Sequence, residues 1–179
     1  MKPFPALPLG RHLRHIGIPA LAFALAGCAN IAAVAPDTPL DQVQAQFGTP
    51  TLQCISRSGA QRVIWSQQPF GQYAWGSDLD AQRRVIQIEP VLTDAHFKVL
   101  ASGVWSPDQV RCEFGPPAQI DSVGLPSVRQ IVWNYRYRQD GVWNSLMFVF
   151  FGNDGQQVTK FHPGPDPMYL QDDRSGFPF

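Results

Sequence analysis

A ten-residue pattern occurs twice in this chain. Asp41-Gln42-Val43-Gln44-Ala45-Gln46-Phe47-Gly48-Thr49-Pro50 returns 67 residues later as Asp108-Gln109-Val110-Arg111-Cys112-Glu113-Phe114-Gly115-Pro116-Pro117, with Asp-Gln-Val, Phe-Gly and the last proline unchanged. Each copy then runs into a tryptophan segment, Val63-Ile64-Trp65 and Ile131-Val132-Trp133, now offset by 68. An aromatic segment and a polar turn follow: Tyr73-Ala74-Trp75 before Asp78-Leu79-Asp80, and Phe148-Val149-Phe150-Phe151 before Asn153-Asp154-Gly155. Val85-Ile86-Gln87-Ile88 and Gln157-Val158-Thr159-Lys160-Phe161 close the copies. Agreement in order, type and spacing means that one supersecondary unit is built twice.

The chemistry of the unit is readable. Ser106-Pro107 supplies a helix N-cap followed by proline in the first turn, and Thr38-Pro39 predicts the same for copy one. Val43 and Phe47, like Val110 and Phe114, are four apart and share a helix face. Gly48 and Gly115 stand where a positive-φ terminator is wanted, and the prolines beyond them block continuation. A helix of about two turns does not persist without packing. The later segments alternate apolar and polar and are rich in β-branched and aromatic residues, as half-buried antiparallel strands are. Between the copies, Leu92 to Leu100 predicts a further short helix with Asp94 near its start, ended by Gly103. The expected fold class is α+β: two tandem units, 38–91 and 92–162, each with short helices on a three- or four-stranded antiparallel sheet. The proline-rich stretch 163–179 has no apolar period and is expected to be a flexible tail.

Ahead of the units the chain reads differently. Lys2, Arg11 and Arg14 precede an apolar run from Ile16 to Ala24, too short to span a bilayer as a helix. That order marks residues 1–27 as a secretory signal peptide. Leu25-Ala26-Gly27-Cys28 resembles the lipobox of bacterial lipoproteins. In that class the cysteine thiol receives a diacylglycerol, and cleavage leaves the cysteine at the new N-terminus. Several acyl chains convert marginal membrane affinity into stable anchoring. Residues 28–37 then form a tether, and the ten residues Ala29 to Thr38 span at most about 35 Å. From Cys28 onward the formal charge is −3, with 11 basic and 14 acidic residues, so no clustered basic face marks a nucleic-acid partner.

With Cys28 lipidated, Cys54 and Cys112 form an even pair in a compartment that permits disulfides. A bridge would join residues 58 apart; two buried free thiols remain the alternative.

The stretch Phe97-x-x-Leu100-x-x-Gly103-x-x-Ser106-x-x-x-Val110-x-x-x-Phe114-Gly115-x-Pro117 resembles the opening motif of the SmpA/OmlA (BamE-like) outer-membrane lipoprotein domain. The tandem layout is also similar to that of the beta-lactamase inhibitor protein. The resemblance implies a scaffold beneath the outer membrane that works through protein contacts, with envelope proteins such as the barrel-assembly machinery as partners. Ala29 after the cysteine, where aspartate is absent, is similar to lipoproteins forwarded to the outer membrane. A periplasmic inhibitor or sequestering module, binding an enzyme or peptide on its sheet surface, is the second expectation.

No catalytic, cofactor or metal site is expected. From Cys28 onward the only histidines are His96 and His162, and either would need a nucleophile brought beside it by folding. Asp78, Asp80 and Glu89 imitate calcium-loop spacing, but Arg83 stands where glycine makes the sharp turn, and a hairpin explains the same residues. The candidate partner contact is one strand: Trp133, Tyr135 and Tyr137 on one face, Arg136 and Arg138 on the other. If the aromatic face is open, it is a surface of the Trp/Tyr/Arg kind that dominates binding energy. If it is inside, the arginines form an exposed basic ladder.

Overall fold

The computed structural model describes residues 30–170. The expected signal peptide 1–27, the expected lipidation site Cys28, Ala29 and the chain from 171 lie outside the described residues.

Helix α1, Leu40–Phe47, opens the first unit. Strands β1 (Leu52–Ile55), β2 (Gln61–Ser66), β3 (Ala74–Asp78) and β4 (Glu89–Pro90) follow as an antiparallel meander in chain order. The second unit has α2 (Asp94–Phe97), a 3-10 turn at Lys98–Ala101 and α3 (Pro107–Phe114). A second meander completes it: β5 (Gln119–Val123), β6 (Gln130–Gln139), β7 (Trp143–Phe151) and β8 (Val158–Pro165). The fold is α+β, with two four-stranded antiparallel sheets.

Local chemistry explains where the copies agree and where they part. At α3, Ser106 and Gln109 form a reciprocal capping box, Pro107 sits in the first turn, and Gly115 at φ 86° ends the helix. At α1 the expected Thr38 cap does not form. Pro39 takes the cap position without a side-chain bond, and the Thr38 hydroxyl donates to the Ala35 carbonyl at 2.7 Å. The first amide of α1, at Leu40, donates instead to the Arg83 carbonyl at 3.0 Å. Between the units, the Thr93 hydroxyl caps α2 by accepting from the His96 amide.

Three expected boundaries move. Val85–Ile88 is not the closing strand of copy one, because the chain ahead of α1 takes its ladder: the Asp37 amide donates to Val85, and the Val85 amide to Thr38. β4 forms later, opposite Trp75 and Gly76. The tether is shorter than 28–37, because Ile31–Ala33 makes a 3-10 turn capped by Asn30, and Ile31 is buried in the core beneath α1. The second unit does not stop at 162, since β8 runs to Pro165 and buried Asp166 is held by Arg136. Residues 163–170 are therefore part of the folded unit.

The packing also crosses the repeat boundary. Val63 and Ile64, neighbours on opposite faces of β2, are both fully buried. Val63 joins Leu40 and Val43 of α1, whereas Ile64 joins Val110 and Phe114 of α3. Phe114 stacks on Phe97 with ring centres 4.8 Å apart and faces Tyr135 at 5.9 Å. The helix of the second copy thus lies between the two sheets and completes the core of both. The layers run α1, first sheet, α2 with α3, second sheet.

Candidate functional site

The aromatic face of β6 points inward. Trp133, Tyr135 and Tyr137 are all buried, so of the two alternatives the aromatic face is the inner one and these three side chains offer no contact surface. The Tyr135 hydroxyl donates to the Gly115 carbonyl at 3.2 Å, and the Tyr137 hydroxyl to Asp94 at 2.8 Å. Burial pushes both phenols well above their ordinary pKa, and for Tyr137 the bond to Asp94 adds to it. The physical reason is local: α2 and α3 present Phe97, Val110 and Phe114 between the sheets, and the aromatic face supplies the area to meet them.

The arginines form no solvated ladder either. Arg136 pairs with Asp166 at 2.9 Å, and its guanidinium also donates to the Pro69 carbonyl. Arg138 donates to Asn144 at 2.6 Å. β5 covers β6 only through residue 134, so the edge beyond needs other partners. The Gln68 side chain supplies them: its amide nitrogen donates to the Arg136 carbonyl at 2.8 Å, and its oxygen accepts from the Arg136 amide. A loop of the first unit thereby seals the second sheet.

A polar seam joins the units on the other side. Cys54 of β1 and Cys112 of α3 form a disulfide, with Cα atoms 5.8 Å apart. Beside it, Arg62 bonds Asp78 at 2.9 Å and Glu113 at 3.1 Å, and His96 Nε2 donates to Glu113 at 2.6 Å. Arg57 lies over the Trp105 ring at 4.2 Å. Burial raises the Glu113 carboxyl's pKa, but the His96 bond and the charges of Arg62, His96 and Arg57 together outweigh it and hold the group below its ordinary value. His96 is thus committed to the seam. His162 sits on the open face of the second sheet, 5.5 Å from Phe148 and 5.3 Å from Phe150. Asp78 belongs to the Arg62 pair, and Asp80 accepts from the amides of Gln82 and Arg84, as a hairpin turn requires.

Four strand edges end the two sheets, and three are blunted. β1 is four residues long and tied to α3 by Cys54; β4 is two residues and contains Pro90. β8 carries Lys160, Pro163 and Pro165, and pairs through a register shift at Phe150/Phe151. β5 has no proline, no lysine and no bulge. Ile120 is 53% exposed, and beyond the strand Leu125 is 72% exposed with Val123 and Val128 also open. This edge was not singled out from sequence. Its signal was available: Ile120 and Val123 within the strand and Leu125 and Val128 beyond it, with no proline or lysine inside β5 of the kind that guards β8.

No protein-family model matches this chain, and no curated protein matches it. Among solved structures it is similar to a DUF4309 family protein (YjgB) from Bacillus subtilis. The likeness covers 72% of this chain and 78% of that one, at 17% identity and a TM-score of 0.28. A likeness of that size carries no argument about fold or function.

Proposed function

We propose that this chain is a non-catalytic lipoprotein, anchored through Cys28 to the outer membrane and facing the periplasm. It acts as a scaffold or adaptor in envelope or outer-membrane protein assembly. One observation carries the reading: β5 is an unblunted edge flanked by open apolar side chains. Such an edge accepts an extended segment of another protein as an added strand, with backbone bonds giving affinity and side-chain contacts giving selectivity. The residues Leu25-Ala26-Gly27-Cys28 and the SmpA/OmlA-like motif support the address and the scaffold role.

The test is co-purification from detergent-solubilised envelope, with wild-type protein beside Ile120→Lys and Val123→Lys. Barrel-assembly components recovered with wild type and lost from both variants support the adaptor. Recovery of the same proteins by all three, or of none, overturns it.

A second reading, an inhibitor or sequestering module, is favoured by a hollow of about 200 Å³ on the open face of the second sheet. Val132, Phe148 and Phe150 form its apolar walls, with Asn134, Asp121 and His162 at its polar side. Recovery of a soluble hydrolase in the same experiment selects this alternative.

A further inference from the structure

A cleft of about 420 Å³ opens at the C-terminal end of α1, a volume in the range of small-molecule sites. It lies on the first unit, remote in sequence from the β5 edge. Its apolar walls are Phe47, Trp65 and Trp75. Trp65 is fixed as the floor, since it is buried and its indole N–H donates to the Gly48 carbonyl at 2.9 Å. Trp75 is half-buried and stacks on Tyr73, with ring centres 5.8 Å apart and planes 19° from parallel. That stack holds the Trp75 ring in place while the ring still lines the cleft.

The polar groups divide into two sets, and the Asn30 side-chain oxygen, which accepts from the Ala32 amide at 3.0 Å, belongs to the first. The Thr51 hydroxyl accepts from the Ser66 amide at 3.0 Å, and the Ser66 hydroxyl accepts from the Gln68 amide at 3.1 Å. These maintain the chain. Thr49, Gln67 and Trp75 line the same cleft, and the Thr49 hydroxyl, the Gln67 side-chain amide and the Trp75 indole N–H have no partner among the described residues. Among the described residues no charged side chain lines it.

We infer that this cleft binds a neutral sugar ring. An ionic ligand would lose its hydration there without a counter-charge. A purely apolar ligand would strip water from Thr49 and Gln67 without replacing the bonds. A neutral sugar ring meets both demands: its C–H face lies against Trp75 and Phe47, and its hydroxyls exchange hydrogen bonds with Thr49, Gln67 and the Trp75 N–H. The inference concerns the first unit alone and stands whether or not β5 recruits a partner.

The experiment is a saturation-transfer NMR titration of the full-length protein in a zwitterionic detergent that contains no sugar. The probes are chitotriose, cellotriose and maltotriose, with hexaproline as the peptide control. At least one trisaccharide is expected to bind saturably with a Kd of about 1 mM, as befits one ring with a few hydrogen bonds. Trp75→Ala should weaken it about tenfold, as loss of an aromatic anchor does. Gln67→Ala and Thr49→Val alter only the rim, and each should weaken binding severalfold at an unchanged melting temperature. Absence of saturable binding by all three sugars overturns the inference. So does binding that Gln67→Ala and Thr49→Val leave unchanged, or preferential binding of hexaproline.

Discussion

Arg62 of the first sheet and Glu113 of helix α3 in the second unit meet at 3.1 Å, with side chains only 8% and 17% exposed. The pair spans the repeat boundary, so its loss is felt by both units. Removing one member of a buried pair leaves an uncompensated charge and costs about 3–5 kcal/mol. Because Asp78 still faces Arg62, Glu113→Ala should fall at the low end, near 3 kcal/mol. Urea unfolding measures it; a variant within about 0.5 kcal/mol of wild type, the scale of neutral surface changes, would show that the seam does not hold the units together.

The same carboxyl sets a pH dependence. Its folded pKa lies below the ordinary 4.5, so the unfolded chain binds the proton more readily. The stability it contributes is complete above that ordinary value and is lost as pH falls through the folded pKa. The unfolding midpoint of wild type should therefore decline below about pH 4.5, and Glu113→Gln should flatten that part of the curve. Parallel curves for the two proteins would assign the acid sensitivity elsewhere.

The bridge between Cys54 and Cys112 closes a separation of 58 residues. In the chain-entropy account a loop of that length is worth about 4 kcal/mol. Replacing both cysteines by serine should lower the stability by an amount of that order, and dithiothreitol should do the same to wild type but not to the variant. A reductant effect equal in both proteins would mean that the bridge is not the group responding.

The repeat was legible because its cues are local. Ser106-Pro107, Gly115 and the alternating apolar strands each act within a few residues, so helix α3 and the second meander can be read from them. What was not legible depends on partners distant in sequence. Nothing near Ser66 announces that Gln68 will complete the edge of β6 68 residues later. Nothing near Arg136 announces Asp166, which is why a buried ion pair reads as a solvated ladder. The inward face of β6 was one of two open choices, and it was decided by where α3 sits, between the sheets rather than outside one of them. The β5 edge was missed because edges are defined by what fails to pair with them.

Phe47 and Phe114 occupy equivalent places in the two copies but unequal surroundings. Phe114 is fully buried between the sheets, whereas Phe47 is half-buried at the rim of the aromatic cleft. Phe114→Ala should cost about 3–5 kcal/mol, the usual range for a core phenylalanine, and Phe47→Ala clearly less. Chemical denaturation ranks them; equal losses would contradict the asymmetric layering.

The anchor has its own test. Cys28→Ser should move the protein from the membrane fraction to the soluble one and abolish incorporation of labelled palmitate. Continued sedimentation with membranes after high-salt washing would remove Cys28 as the attachment point.

Burial of Ile31 under α1 changes what a lipid on Cys28 would do to the chain's freedom. A leash of ten residues allows a reach of about 35 Å, whereas the three residues from Cys28 to Ile31 allow about 11 Å. The volume the domain can sweep shrinks roughly thirtyfold with the cube of that reach. A domain held that close rides at a nearly constant height above the bilayer. It would meet partners moving in the membrane plane as a post meets traffic, while molecules farther from the bilayer would have to come to it.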